Sequence, residues 1–540
     1  MTDAEVIVVG GGHNGLICAA YLARAGIDTL LVESRDSVGG CASTVSDLGA
    51  RFNICHCDHS MVRAMPVIDE LELEAFGLEY LEPDVSAVHL FHDDSEPWLF
   101  FHEIDRTLDS IAGTYPRQLD GYRRYLEAAM PAAAFAIEMA RNHPTGPSLM
   151  RAALARRARG AVTLLDWSRR SASDVLSRYF DDWRLVMPAV SSGPTVWGVS
   201  PDAPGTGLGA ATYASKHLVR TGRPRGGSGA LTDSTRASFE AAGGRVRCGA
   251  RVTDLLVGDG SVRGLRLDDE SELHSPVVVA ACDPHRVFVE WISEPPPAAR
   301  KLVQRWRNRP SADGYESKID AVLTSLPGLR ATDRLRQSFP GVDLLGPSSL
   351  VLPSPDQLAE AHRLRADGRV APFPTMLLNV PSVLDPDMRP GPDRHVLSIE
   401  VLFTPYALRG GWSGSAEPQR WLDMWGSLME PGALATVDRW RAMTPDRYER
   451  EFSMHRGHTP SYGGSPLATL VGRRPELSRY RTPIGGLYLS GAGTFPGAGI
   501  FGASGRNAAH VVRRDLRHRL TRRFGTLRRT AACSTPRVTT

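Results

Sequence analysis

Apolar residues along this chain come in short bursts separated by glycine and proline, and the first burst sets the pattern. Glu5 to Val9 is short and apolar, as a buried strand requires, and it runs straight into Gly10-Gly11-Gly12-His13-Asn14-Gly15. Leu16 to Ala25 then repeats apolar positions as a helix does, and Asp28 to Val32 predicts a second strand ending at Glu33. Further along, Met65 to Phe76 is amphipathic with helical spacing, whereas Ala87 to His92 and Pro97 to Glu103 read as strands. Residues 116 to 159 have a helical pattern, broken at Asn142 to Pro147. A helix opened by Arg225-Gly-Gly-Ser-Gly-Ala230 and running through Ala242 leads to strand candidates at 245–248, 252–257, 262–267 and 277–282. Two more lie at Ser317 to Leu323 and His395 to Phe403. Leu487 to Ser490 is a last strand before a helix from Gly502 to about Val512.

Strand–glycine–helix units at both ends, with unrelated elements between them, predict an α/β protein of two lobes. A Rossmann-like nucleotide-binding domain is expected from residues 1–65, 211–292 and 451–525. A discontinuous substrate-binding domain of mixed sheet and helices takes 66–210 and 293–450, and 526–540 form a disordered tail. Ala250 to Leu256 is expected as the third strand of the doubly wound sheet, and Ser293 to Ala298 as a stiff linker.

The glycines of the first turn have separate mechanical roles. Gly10 allows the tight turn, Gly12 lets the backbone approach a pyrophosphate, and Gly15 lets the helix pack on the strand. The helix start at His13 and Asn14 offers free N–H groups to phosphate, and Glu33 is placed to bond a ribose hydroxyl. Ser34 and Arg35 follow, and the pair Gly39-Gly40 permits a second close approach to the nucleotide. A carboxylate followed by Arg-x-x-x-Gly-Gly favours FAD over NAD, because the longer nucleotide needs a clamp beyond the first turn.

A second anchor runs from Gly486 to Ala509. Its strand enters a turn containing Gly491 and Gly493, and a helix starts at Gly502. Ile500, Phe501 and Gly502 are expected at the electron-rich edge of a flavin ring, where a helix N-terminus stabilises charge that arrives with a hydride. Two such distant turns imply one shared cofactor.

Composition narrows the picture little further. A chain of 540 residues exceeds one hydrophobic core, and a net charge of +3 gives no reason to expect nucleic acid. No run approaches the ~18 apolar residues of a membrane span. The first strand begins too early to leave room for a signal peptide, and the seven cysteines have neither disulfide-framework nor zinc-ribbon spacing. A cytoplasmic protein is the expectation. The arginine-rich stretches Leu149 to Arg159 and Val511 to Gly525 fit solvated helices. Peripheral contact with an anionic membrane is the alternative for both, and contact with an acidic substrate a further one for Leu149 to Arg159.

The segments Gly10 to Leu16, Arg225 to Ala230, Arg479 to Ile484 and Gly502 to Ala509 together resemble the phytoene desaturase-like branch of the glutathione-reductase-fold flavoproteins. More closely they are similar to phytoene-dehydrogenase-related oxidoreductases, the pyridine nucleotide-disulfide oxidoreductase domain proteins. The resemblance implies an FAD-binding domain of the glutathione-reductase type, with the backbone of Val252 meeting the adenine. It also implies that an organic substrate supplies the hydride and that oxygen, a quinone or another acceptor reoxidises the flavin. The chain has no C-x-x-x-x-C pair after its first glycine motif, which argues against disulfide reduction. Its His-Asn pair departs from carotenoid desaturases, so a carotene is not implied.

Removal of a hydride together with a proton calls for a base, and histidine is the usual choice near neutral pH. His56, His59, His455 and His458 are the candidates. Cys55 to His59 also offers thiols and imidazoles for a metal, but alternation along a strand points them apart and no metal is expected, while a covalent flavin link through one histidine or cysteine stays open. Lys318 is read as a surface strand residue. The expected activity is FAD-dependent dehydrogenation or oxidation of a C–C or C–N bond in a partly apolar small molecule. The alternatives are a flavin-dependent isomerase and a non-catalytic lipid-escort protein of the same fold.

Overall fold

The computed structural model describes residues 2–55, 57–145, 147, 150, 151, 154, 159–463, 469, 472 and 474–532, with side chains through 518. His56, most of the Leu149–Arg159 stretch and residues 533–540 lie outside the described residues.

The bursts at the two ends of the chain meet in one five-stranded parallel sheet, ordered Leu487–Leu489, Val278–Ala280, Val6–Val9, Thr29–Val32 and Arg245–Arg247. The inner strands are buried throughout and, apart from Thr29, apolar, as a parallel sheet covered on both faces demands. Helices His13–Arg24, Gly229–Ala241 and Ala503–Ala532 cover one face through Leu16, Leu231 and Val512. A three-stranded antiparallel sheet and the helix Arg300–Arg307 cover the other. Leu302, Val303 and Trp306 of that helix belong to this core, so the chain leaves it later than a boundary at residue 293 would require.

One strand assignment is corrected. The third strand of the parallel sheet in chain order is Arg245–Arg247, at the sheet's edge, whereas Val252–Gly258 pairs antiparallel with Ser261–Leu267 in the covering sheet. The reason is local. Asp259 and Gly260 both have positive φ, 51° and 74°, which makes a two-residue hairpin turn and folds the strand back on its successor.

The second lobe is organised by a seven-stranded sheet in the order Val437–Met443, Glu316–Leu323, His395–Leu402, Met376–Asn379, Ser348–Leu352, Val85–Phe91 and Trp98–Phe101. All its pairings are antiparallel except Ser348–Leu352 with Val85–Phe91. Ile319, Ala321, Ile399 and Val401 turn one face to Trp421 and Trp425. Side chains alternate along a strand, so Glu316, Lys318, Asp320 and Glu400 share the opposite face. Lys318 is therefore not a surface residue. Its strand has a partner on each side, and the lysine is 1% exposed.

The helical stretch after Pro116 is Leu119–Ala140, while Met65 to Phe76 breaks into the short turns Val67–Glu70 and Leu73–Phe76. No described helix is long and apolar enough to cross a membrane.

Candidate active site

The first helix begins in a form suited to an anion. Gly12 is its N-cap, no side chain caps it, and its first turn carries no acidic residue, so the terminal N–H groups stay available. A Cβ on Gly15 would lie 1.9 Å from the Gly10 carbonyl oxygen, which fixes glycine there by packing. A Cβ on Gly12 would meet nothing closer than Gly40 Cα at 4.0 Å, so the space beside Gly12 is open. Glu33 is held in position by the chain itself. Its Oε2 accepts from the Gly11 N–H at 2.7 Å, and its Oε1 accepts from the Arg35 N–H at 2.9 Å and the Ser34 hydroxyl at 3.1 Å.

The second anchor packs directly on the first. The buried His13 ring bonds to the Gly499 backbone, and burial lowers its pKa to about 4, so it is neutral at physiological pH. The Gly505 N–H points at Asn14 Oδ1 at 3.4 Å. A Cβ on Gly505 would lie 2.2 Å from the Asn14 carbonyl oxygen, and one on Gly502 would lie 2.7 Å from Ile17 Cδ1. These glycines bring the last helix against the first.

Both turns line one cavity of about 770 Å³. At one end its wall holds Gly10, Gly12, Glu33 and Val252, and at the other Leu350, Leu377, Glu400 and Leu402 of the seven-stranded sheet. Cys41 and Cys55 stand between. Their thiols are hydrogen-bonded, which holds Cys41 below the usual thiol range and, together with burial, pushes Cys55 above it. Asp58 and Arg223 form a buried ion pair at 2.6 Å, and Ser348 donates to the second oxygen of Asp58 at 2.6 Å.

A family model for an NAD(P)-binding Rossmann-like domain matches residues 8–66, the strand, first turn and second strand just described. Over nearly the whole length, the chain is 29% identical to pyridine nucleotide-disulfide oxidoreductase domain-containing protein 2 of Mus musculus, with 96% of this chain and 94% of the relative covered. One of the limonene dehydrogenase polypeptides of Castellaniella defragrans is 27% identical, with 95% of each chain covered.

The chain is an oxidoreductase, similar over nearly its whole length to phytoene desaturase-like proteins.

The fold of this oxidoreductase is also that of putrescine oxidase in its putrescine-bound structure, with a TM-score of 0.62 and 16% identity over 96% of this chain and 99% of that one. Of the residues expected from sequence to hold the cofactor, Gly10, Gly12, His13, Asn14, Gly15, Glu33, Ser34, Arg35, Gly40, Val252, Gly491 and Ile500 line the cavity. Gly39, Gly493, Phe501 and Gly502 do not line it. Gly39 bridges to Gly12 behind the turn, Gly493 packs on Pro284 and Pro460, and Phe501 and Gly502 face the apolar core around Ile17 and Val62.

The candidate bases separate as well. His59 is wholly buried off the cavity, with Nδ1 3.0 Å from the Tyr80 hydroxyl and Nε2 3.1 Å from Ser228 Oγ. Its ring bridges Tyr80 and Ser228. His455 and His458 line the cavity. His455 lies 3.2 Å from Glu290, which raises its pKa, while burial lowers that of His458. Among the described residues, His285, Glu290 and His455 bring ligand-type atoms within 4.8 Å of one another, but the glutamate and His455 already pair with each other. Cys57 donates to Asn379 Oδ1 at 3.7 Å, so Cys55, Cys57 and His59 face different partners and form no common ligand set.

Sequence reasoning missed Asp58, Arg223, Glu316 and Glu400. One signal was available: ionisable residues at 316, 318 and 320 occupy alternate positions of an otherwise apolar strand, which marks one polar face inside a sheet.

Proposed function

We propose that this oxidoreductase binds FAD along the cavity and removes a hydride from a C–C or C–N bond of a partly apolar metabolite. The observation that carries the reading is the shared wall, since residues of both glycine turns and apolar residues of the substrate sheet border one space. The dinucleotide diphosphate is assigned to the backbone N–H groups at His13, Asn14 and Gly15, at the positive end of the helix. The ribose is assigned to Glu33 and the adenine to the backbone at Val252.

The bound flavin supplies an acceptor for the hydride. The chain orients the reacting C–H bond, keeps water from it, and holds an apolar skeleton against Leu350, Leu377 and Leu402. A limonene dehydrogenase among the relatives supports an apolar substrate. Oxygen or a quinone is the acceptor in this reading.

Acid denaturation of the purified protein, followed by chromatography of the released cofactor, is expected to yield one FAD per chain. Anaerobic addition of substrate is expected to bleach the visible flavin band. Product formed without net bleaching would favour flavin-dependent isomerisation. A colourless protein that cannot be reconstituted with FAD would overturn the reading.

A further inference from the structure

The face of the substrate sheet that closes the cavity carries more carboxylates than cations to pair with them. Glu316, Lys318 and Asp320 alternate along one strand, and Glu400 stands opposite Lys318 on the next. Lys318 is committed. Its Nζ lies 2.8 Å from Asp320 Oδ1 and donates to the Asn53 carbonyl. Arg441 holds Asp320 Oδ2 at 2.9 Å, and Asp58 belongs to Arg223. Among the described residues neither Glu316 nor Glu400 has a cation in ion-pair contact. Glu400 lines the cavity, is 4% exposed, and has no hydrogen-bond partner for its Oε1.

The groups that face this pair from the elements packed on it are few. They are Lys318 and Asp320 on the sheet, Asp58, Cys55 and Cys41 from the N-terminal segments, and the hydroxyls of Tyr315 and Tyr448. Lys318 is the one cation among them on the sheet, and Lys216, buried in the cavity wall, is a second cation, placed toward Asp58. Two buried carboxyls beside a lysine already committed to Asp320 do not both ionise near neutrality, so they keep a proton and titrate as a unit. In keeping with that, burial raises Glu316 to about 7, and burial together with Glu316 raises Glu400 well above the carboxylate range.

We propose that the Glu316–Glu400 pair is the proton acceptor of the oxidation and selects a substrate whose reacting carbon becomes cationic. The proposal rests on the FAD reading above and deepens it. When the first C–H bond breaks, its electron pair leaves with the hydrogen for the oxidised flavin, and positive charge builds on the carbon. The neighbouring C–H or N–H bond then breaks. Its electron pair forms the new C=C or C=N bond, and its proton goes to the ionised carboxylate of the pair. The negative charge of that carboxylate favours the cationic stage, most strongly where water is excluded. The substrate class is an apolar skeleton with an allylic carbon or an amine-bearing carbon at the reacting position, because both spread positive charge.

Two probes of equal shape test this on the flavin-loaded protein: benzyltrimethylammonium and its uncharged carbon isostere, neopentylbenzene. Their binding is read from perturbation of the visible flavin spectrum. At about pH 8 the cation is expected to bind about 10-fold or more tightly than the isostere, because the pair is then anionic. The preference should shrink several-fold at about pH 5.5, where the pair is fully protonated. In the Glu316→Gln/Glu400→Gln variant it should vanish, with flavin content unchanged. If that variant fails to fold, the pH dependence in the unmodified protein still decides. pH-difference infrared spectra give a second readout, a buried carboxyl band titrating near neutrality. Equal binding of the two probes at about pH 8, or no such band, would overturn the proposal. Failure of the FAD reading would appear earlier and differently, as protein without flavin.

Discussion

The two ends of the cavity are built in opposite ways. At the nucleotide end the groups on offer are mostly backbone N–H donors at a helix start, with glycines clearing the space and Glu33 fixed by three hydrogen bonds from its neighbours. At the substrate end they are side chains, carried to one sheet face from residues as distant as Asp58, Glu316 and Glu400. A backbone site tolerates little change in shape, because its geometry is set by packing. A side-chain site depends on charge balance, because its groups are buried in a poorly solvated space. The first should break through sterics and the second through unpaired charge.

Gly15→Val tests the steric half hardest. A Cβ 1.9 Å from the Gly10 carbonyl oxygen forces the helix off the strand, with an expected loss of about 4 kcal/mol or more in denaturant unfolding. Asp58→Ala tests the charge half. It leaves the Arg223 guanidinium, 3% exposed, without its partner, at an expected cost of about 3–5 kcal/mol. Replacing both residues by apolar ones should recover part of that loss, since no charge is then stranded.

Gly12→Ala separates folding from binding. With nothing closer than 4.0 Å to the added methyl, unfolding should be unchanged within about 0.5 kcal/mol. The methyl instead takes space assigned to the diphosphate, so FAD affinity should fall about 10–100-fold by fluorescence titration.

A smaller effect concerns pH. Glu316 binds its proton more tightly when folded, with a pKa raised to about 7, than when unfolded. Between the two values the folded state holds more protons, so the contribution of this group to stability declines as pH rises from about 4.3 and levels off above the folded value. Thermal unfolding across that window should show the decline, and the Glu316→Gln/Glu400→Gln variant should flatten it.

The smallest expected effect is at the surface. Met150, Leu154 and Val162 are 65%, 73% and 67% exposed in an arginine-rich region. Peripheral membrane contact predicts weak flotation with anionic vesicles at low salt, lost at high salt.

The same contrast explains what is legible in the sequence. Gly10 to Glu33 is one contiguous stretch in which each glycine has a backbone reason, so the strand, turn, helix and second strand can be read together. The other end has no such stretch, since nothing in the neighbourhood of Glu400 announces that it stands opposite Lys318 on the adjacent strand. Lys318 escapes a sequence reading because strand alternation says which face a residue takes but not whether that face is covered. The neighbouring strands and the Asn53 carbonyl cover it. The misplaced third strand is a different failure, since Asp259-Gly260 is visible in the sequence as a hairpin turn. Gly502 suggests a ligand contact because its position opens a helix. Close packing on Ile17 gives that position a separate reason for glycine.

The most direct test of a single cofactor gripped by both turns is a crystal structure of the protein with bound FAD. The diphosphate should lie within hydrogen-bond distance of the N–H groups at His13 to Gly15, with the ring between Ile500 and the Glu316–Glu400 face. FAD bound without touching both turns, or with its ring turned away from that face, would contradict the shared grip.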